Sequence, residues 1–125
     1  MIPLQERAIR LNPLDPNIGF RYFLIGTVHL LQSRTEEAIV WLEKARGAMP
    51  AVPSHHSRLA AAYALKGETE RAAAELAEAR RLSSDDRFSS IARLNAIANF
   101  GTPKTRALFE ATYFVGLRKA GMPEE

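Results

Sequence analysis

The sequence predicts an all-α protein. It reads as an antiparallel array of helical hairpins, about seven helices in an α-α superhelix, closed by a C-terminal capping pair. Three observations predict this. The stretch TEEAIVWLEKARGAMP, beginning at Thr35, returns as TERAAAELAEARRLSS, beginning at Thr69, an offset of 34 residues. Apolar residues recur at helical spacings of three, four and seven. No segment shows the apolar–polar alternation of a half-buried strand.

The elements follow in chain order. Residues 2–13 read as a half-unit, because ERAIRLNP echoes the helix ending EKARGAMP. The next helix, 18–32, is apolar and aromatic, with Gly26 near its middle. The helix from Thr35 places Ala38, Trp41, Leu42 and Ala45 on one stripe and should stop near Gly47 and Pro50. Thr35 is its expected N-cap. A third helix, 55–66, is alanine-rich and ends at Gly67. Its partner takes Thr69 as cap and carries the stripe Ala72, Leu76 and Ala79. It ends in the turn-forming run Ser83, Ser84, Asp85, Asp86. Two last helices occupy 89–99 and 103–120. Thr102 caps the second of them, and Pro103 takes its first helical position. The chain is then one domain, 1–125: half-repeat 2–13, repeat one 17–50, repeat two 53–84 and cap helices within 88–120.

Composition narrows the function classes. With 125 residues, 46% hydrophobic and 25% charged, the chain suits a single globular domain. Net charge is +3, from 17 Lys+Arg against 14 Asp+Glu, and no basic run is interleaved with aromatics, so no nucleic-acid partner is expected. There is no cysteine, which removes disulfide and thiol chemistry and makes a reducing, cytoplasmic compartment the expectation. The longest weakly polar stretch, 18–31, contains Arg21 and His29 and is too short to span a bilayer. The N-terminus has no apolar core of a signal peptide.

The interval of 34 has a physical origin. A helical hairpin cannot bury its apolar face alone, and stacking a second hairpin buries it. Small residues stand where helices cross closely: Gly26, Ala38 and Ala45, then Ala60, Ala72 and Ala79, each 34 later. Large residues fill the gaps: Ile25 and Leu42, then Leu59 and Leu76. The late aromatic slot of the first helix holds His29 and then Tyr63. This pattern resembles the tetratricopeptide repeat, whose period is 34. If the phase is right, Ala38→Leu or Ala72→Leu should cost roughly 1–3 kcal/mol through overpacking at a close crossing. An unfolding free energy changed by less than a few tenths would refute the phase.

From Pro13 to Pro50 is 37 residues, so the loop LNPLDPN is longer than the period requires. That loop and the closing pattern Gly116, Leu117, Arg118, Lys119, Ala120, Gly121, Met122, Pro123 resemble the C-terminal tetratricopeptide region of bacterial class III adenylate/guanylate cyclases. The resemblance implies a chain cut from a longer protein with a cyclase domain upstream. None of the catalytic residues of such a domain is present here.

No catalytic constellation emerges from the residues. His55 and His56 are adjacent, so on a helix they point about 100° apart and chelate one metal poorly. They belong instead to the first turn after Pro53. His29 is expected in core packing, and so is Trp41. The serines sit at helix boundaries without a nucleophile elbow. The glutamates interleave with Arg and Lys on solvated faces. No cofactor or metal is expected.

Binding is what remains. In the repeats that this chain resembles, the first helix of each hairpin lines a concave groove. By phase, the groove positions are Phe20, Phe23, Thr27, Leu30 and Leu31, then Ser54, Ser57, Arg58, Ala61 and Leu65, extended by Arg93 and Asn95. The Lys/Asn carboxylate clamp of the family is missing, because its slots hold Phe23, Thr27, Ser57 and Ala61. The apolar first unit suits an apolar peptide or another part of the same protein. The last helix, with Leu108, Phe109, Tyr113, Phe114 and Leu117, is expected to cap the last repeat; the alternative is that it folds back over the groove.

The resemblance implies a non-catalytic interaction or scaffolding module, the regulatory C-terminal region of an adenylate cyclase-like signalling protein in the bacterial cytoplasm. Its partner would be a protein, a peptide or another domain of the parent chain. The alternative is a free-standing adaptor or a homo-oligomerisation domain, pairing as a homodimer through Ile2, Leu4, Ile9 and Leu11. No nucleic acid or membrane partner is expected.

Overall fold

The computed structural model describes residues 18–98 and 100–125, so the half-repeat 2–13 and its proposed pairing surface lie outside the described residues. Among these residues there is no strand. Four helices of 14 residues come first: α1 (Ile18–Leu31), α2 (Thr35–Ala48), α3 (Pro53–Lys66) and α4 (Thr69–Leu82). The short α5 (Ile91–Ile97) follows. The chain ends in a continuous rod made of α6 (Pro103–Phe109), a π-helical segment (Glu110–Phe114) and α7 (Val115–Lys119).

Each long helix is about 21 Å in length. The linkers between them are a few residues long, so helices that pack along their length must run back on one another. α1 packs on α2, α2 on α3, and α3 on α4. The small and large slots read from the sequence all lie in the interior. Ile25, Ala38, Leu42, Ala45, Leu59, Ala60, Ala72, Leu76 and Ala79 are buried, as is Gly26. The two units therefore bury matching positions at an interval of 34.

The turns match too. Ser33 N–H donates to the Leu30 carbonyl at 3.0 Å and Arg34 N–H to that of His29 at 2.8 Å. Thirty-four residues on, Gly67 N–H donates to Ala64 at 3.0 Å and Glu68 N–H to Tyr63 at 2.9 Å. Both turns need a left-handed residue, Ser33 at φ 62° and Gly67 at φ 96°. This geometry corrects the expected caps. Thr35 and Thr69 are the first helical residues, the N-caps are Arg34 and Glu68, and neither side chain makes a capping bond. The left-handed turn aims the backbone directly into the next helix, and the position before it falls one residue earlier than the threonines. Serine lacks glycine's freedom at positive φ. Ser33→Gly should therefore raise stability by about 0.5–1 kcal/mol, read as a higher urea midpoint at unchanged slope. A lower midpoint would mean that the Ser33 side chain contributes more than its backbone costs.

Other expectations hold. Thr102 caps α6, its hydroxyl accepting from Thr105 N–H, with Pro103 in the first turn. Trp41 departs from its expected place in the core. It is half-buried on the outside of α2, 5.9 Å from the Tyr22 ring, with Lys44 Nζ 4.5 Å above it. The inner face keeps Ala38, Leu42 and Ala45 of the expected stripe and adds the buried Ile39.

The rod does not stack on the end of α4. It lies against α3, with its π-helical segment reaching α1 as well. Gly116 permits this: a Cβ there would stand 2.5 Å from the Ala61 carbonyl oxygen. Phe100, Phe109, Tyr113 and Phe114 form a continuous aromatic cluster behind it, with centroids 4.9 Å apart for Phe100–Phe109 and 5.1 Å for Phe100–Phe114. The tail closes the structure by capping α5. Ile91 N–H donates to the Pro123 carbonyl and Ala92 N–H to that of Glu124, both at 2.9 Å.

Candidate interaction groove

The inner faces of α1 and α3 are placed by helical phase: Phe20, Phe23 and Thr27 recur at three and four on α1, and Ser54, Ser57, Arg58, Ala61 and Leu65 do so on α3. These positions face the same side of the array, and much of that side is already filled. Leu30, Ser57 and Ala61 have no exposed surface, and Thr27 retains 8%. Phe23, Leu31, Ser54, Arg58 and Leu65 are half-buried. Phe20 alone is well exposed, at 54%. The groove is thus not open along its length. The rod lies in it, and the expected capping of the last repeat is corrected to coverage of the groove.

The contact is specific. Tyr113 donates its hydroxyl to Ser57 Oγ at 2.7 Å, in a fully buried pair, and Ser57 Oγ donates to the Ser54 carbonyl at 3.1 Å. A buried polar pair of this kind fixes position, because separating it leaves unsatisfied groups behind. Phe23 stacks on the His55 ring at 4.9 Å.

Arg93 and Asn95 are not brought to this groove by any contact among the described residues. Arg93 pairs with Asp86 at 2.9 Å, and Asn95 accepts from Arg106 of α6. The α4–α5 connection positions them, and a helical phase extrapolated across that connection does not hold.

Both histidines of the pair are tied to the protein. His55 Nδ1 donates to the Met49 carbonyl at 3.2 Å, and burial lowers its pKa below the usual 6.5. His56 Nε2 faces the Pro50 carbonyl at 2.7 Å and its Nδ1 faces Glu75 at 2.9 Å, while Glu75 also takes Arg46 at 3.1 Å. This three-helix link joins α2, α3 and α4. No group of His, Asp and Glu among the described residues is arranged to hold a metal ion.

A second link joins the same helices. Tyr63 donates to Glu43, and Arg71 donates to the Tyr63 oxygen at 3.0 Å. Burial and the adjoining Glu43 carboxylate push the Tyr63 phenol up to about 12. The sign follows from linkage. The unfolded chain releases this proton near the ordinary value of 10, whereas the folded chain holds it to about 12. Stability should therefore fall as pH rises through that window, and Tyr63→Phe should remove this part of the fall. Chemical denaturation at a series of pH values tests it; the same slope in both proteins would contradict it.

No protein-family model, curated protein or solved structure matches the chain. No helix among the described residues is long and apolar enough to cross a membrane.

Proposed function

We infer that this chain is a non-catalytic protein-interaction module of tetratricopeptide type, which uses the inner face of α1 and α3 and holds its own C-terminal rod in that groove. The supporting observation is the agreement at an interval of 34 between two units, in helix length, in buried slots and in turn hydrogen bonds. The titratable groups of the interior serve as ties between helices. The remaining accessible part of the groove, around Phe20, is apolar. In the setting implied by the sequence resemblance, the module is the cytoplasmic regulatory tail of a cyclase-like signalling protein, and peptide sequencing upstream of Met1 in the native polypeptide tests that setting.

The interaction reading is tested by proximity cross-linking in cells. A partner should be captured by the native chain and by Val40→Glu, since Val40 is exposed on α2. It should be lost with Phe20→Glu. Capture that is the same with both variants would sink the reading.

A further inference from the structure

His55 is the buried titratable group that lies against the groove. It stands in the first turn of α3 and is 2% exposed. Its Nδ1 donates to the Met49 carbonyl at 3.2 Å, in the connection from α2. Phe23 of α1 stacks on its ring at 4.9 Å. The site suits a neutral imidazole, with one N–H satisfied and a ring face covered by another ring. A second proton would place a full charge where water does not reach it. Burial is the main cause that lowers the His55 pKa from 6.5, and His56 and Arg58 oppose the charge as well, while the Met49 and Ala45 backbone favours it. Glu75, the carboxylate that α4 brings to this junction, is taken by His56 at 2.9 Å and by Arg46 of α2 at 3.1 Å. The unfolded chain accepts the proton near 6.5 and the folded chain only at lower pH. This part of stability is therefore present above 6.5 and lost as pH falls below it.

Two further observations carry the effect to the rod. Phe23 is only half-buried, on the groove side of α1, so a charged His55 ring reaches water by displacing it. Phe23 is also one of three rings around the Arg58 guanidinium, with its centroid at 5.4 Å, and the other two belong to the rod: Tyr113 at 4.0 Å and Phe109 at 5.1 Å. Tyr113 in turn donates to the buried Ser57, two residues beyond His55 on α3. Packed side chains thus run without a break from the imidazole to the rod, and rearrangement at one end of such a chain is felt at the other.

We propose that His55 is an acid-sensitive latch: a second proton drives its ring out from under Phe23, parts α1 from the start of α3 and loosens the groove's hold on the C-terminal rod. Mild acid then uncovers the face that the rod fills at neutral pH. The device is a property of the fold, and it stands whether or not the groove takes a partner.

The test is a side-chain NMR titration from about pH 8 to about pH 5. The His55 ring signals should titrate with a midpoint below 6.5, and those of Phe23 and Tyr113 should shift with the same midpoint. His55→Phe, which keeps the stack, and His55→Asn, which keeps a donor near the place of Nδ1, have no ring to take the proton. In either, the Tyr113 response at that midpoint should be lost, although His29 and His56 remain. Phe23→Leu should leave His55 titrating and remove the Tyr113 response. Proton uptake by His55 with Phe23 and Tyr113 unmoved would overturn the proposal in the native chain alone, whether or not a variant folds. A Tyr113 response that persists in both His55 variants would assign it to another group and overturn the proposal too.

Discussion

Gly116→Leu is expected to detach the C-terminal rod from α3 and to destabilise the protein by about 3 kcal/mol, the upper end of the range for overpacking. The reason is the identity of the neighbour. A Cβ at 116 would meet the Ala61 carbonyl oxygen at 2.5 Å and its Cα at 2.7 Å, and both are backbone in the middle of a helix. No rotamer change relieves that clash, so the rod itself must move. Moving it parts Tyr113 from Ser57 and exposes Phe109, Phe114 and Leu117, all buried now. Hydrogen exchange should then show protection lost across 103–119, while α2, which does not pack along the rod, stays protected. Unchanged stability and unchanged protection in α7 would mean that the rod does not lie where Gly116 puts it.

The second large effect belongs to the first hairpin. Leu42 is fully buried, and Leu42→Ala should cost about 3–4 kcal/mol. Its side chain occupies the space that a Cβ on Gly26 would enter, with Leu42 Cγ 2.6 Å from that point. Gly26→Ala alone should therefore also destabilise. The two changes together should cost less than their sum, because the new methyl enters the cavity that the lost leucine leaves. A double-mutant cycle by urea unfolding should give a coupling of about 1–2 kcal/mol in favour of the double variant. Strict additivity would show that α1 and α2 do not meet at this pair. The second unit provides the contrast, since it places Ala60 and Leu76 at the matching positions and keeps both buried.

Much of the hairpin structure was legible in the residues. The interval between Thr35 and Thr69, the small slots from Gly26 to Ala79 and the stop at Gly67 all follow from chemistry within one or two helical turns. Both N-caps, Arg34 and Glu68, fall one residue before the expected threonines, and Gly67 does not prevent this, because a threonine at the first helical position reads the same in sequence as a threonine at the cap. Trp41 and Leu42 are both expected on the stripe, because adjacent positions fall near its two edges, and packing buries only Leu42 fully. The contact of the rod with Ser57 and Ala61 was not legible. The segment responsible lies far along the chain, with Tyr113 and Ser57 separated by 56 residues.

The sequence by itself determined the helical class, the period and the inner face of each repeated helix. These depend on local periodicity and on the size of side chains at fixed spacing. Only the tertiary structure decided where the rod lies, that Arg58 rests on three aromatic rings, and that Glu75 joins His56 to Arg46. Those outcomes turn on close fit between surfaces distant in sequence, such as the bare backbone of Gly116 against Ala61. Periodicity shows that a face must be covered, and shape complementarity selects what covers it.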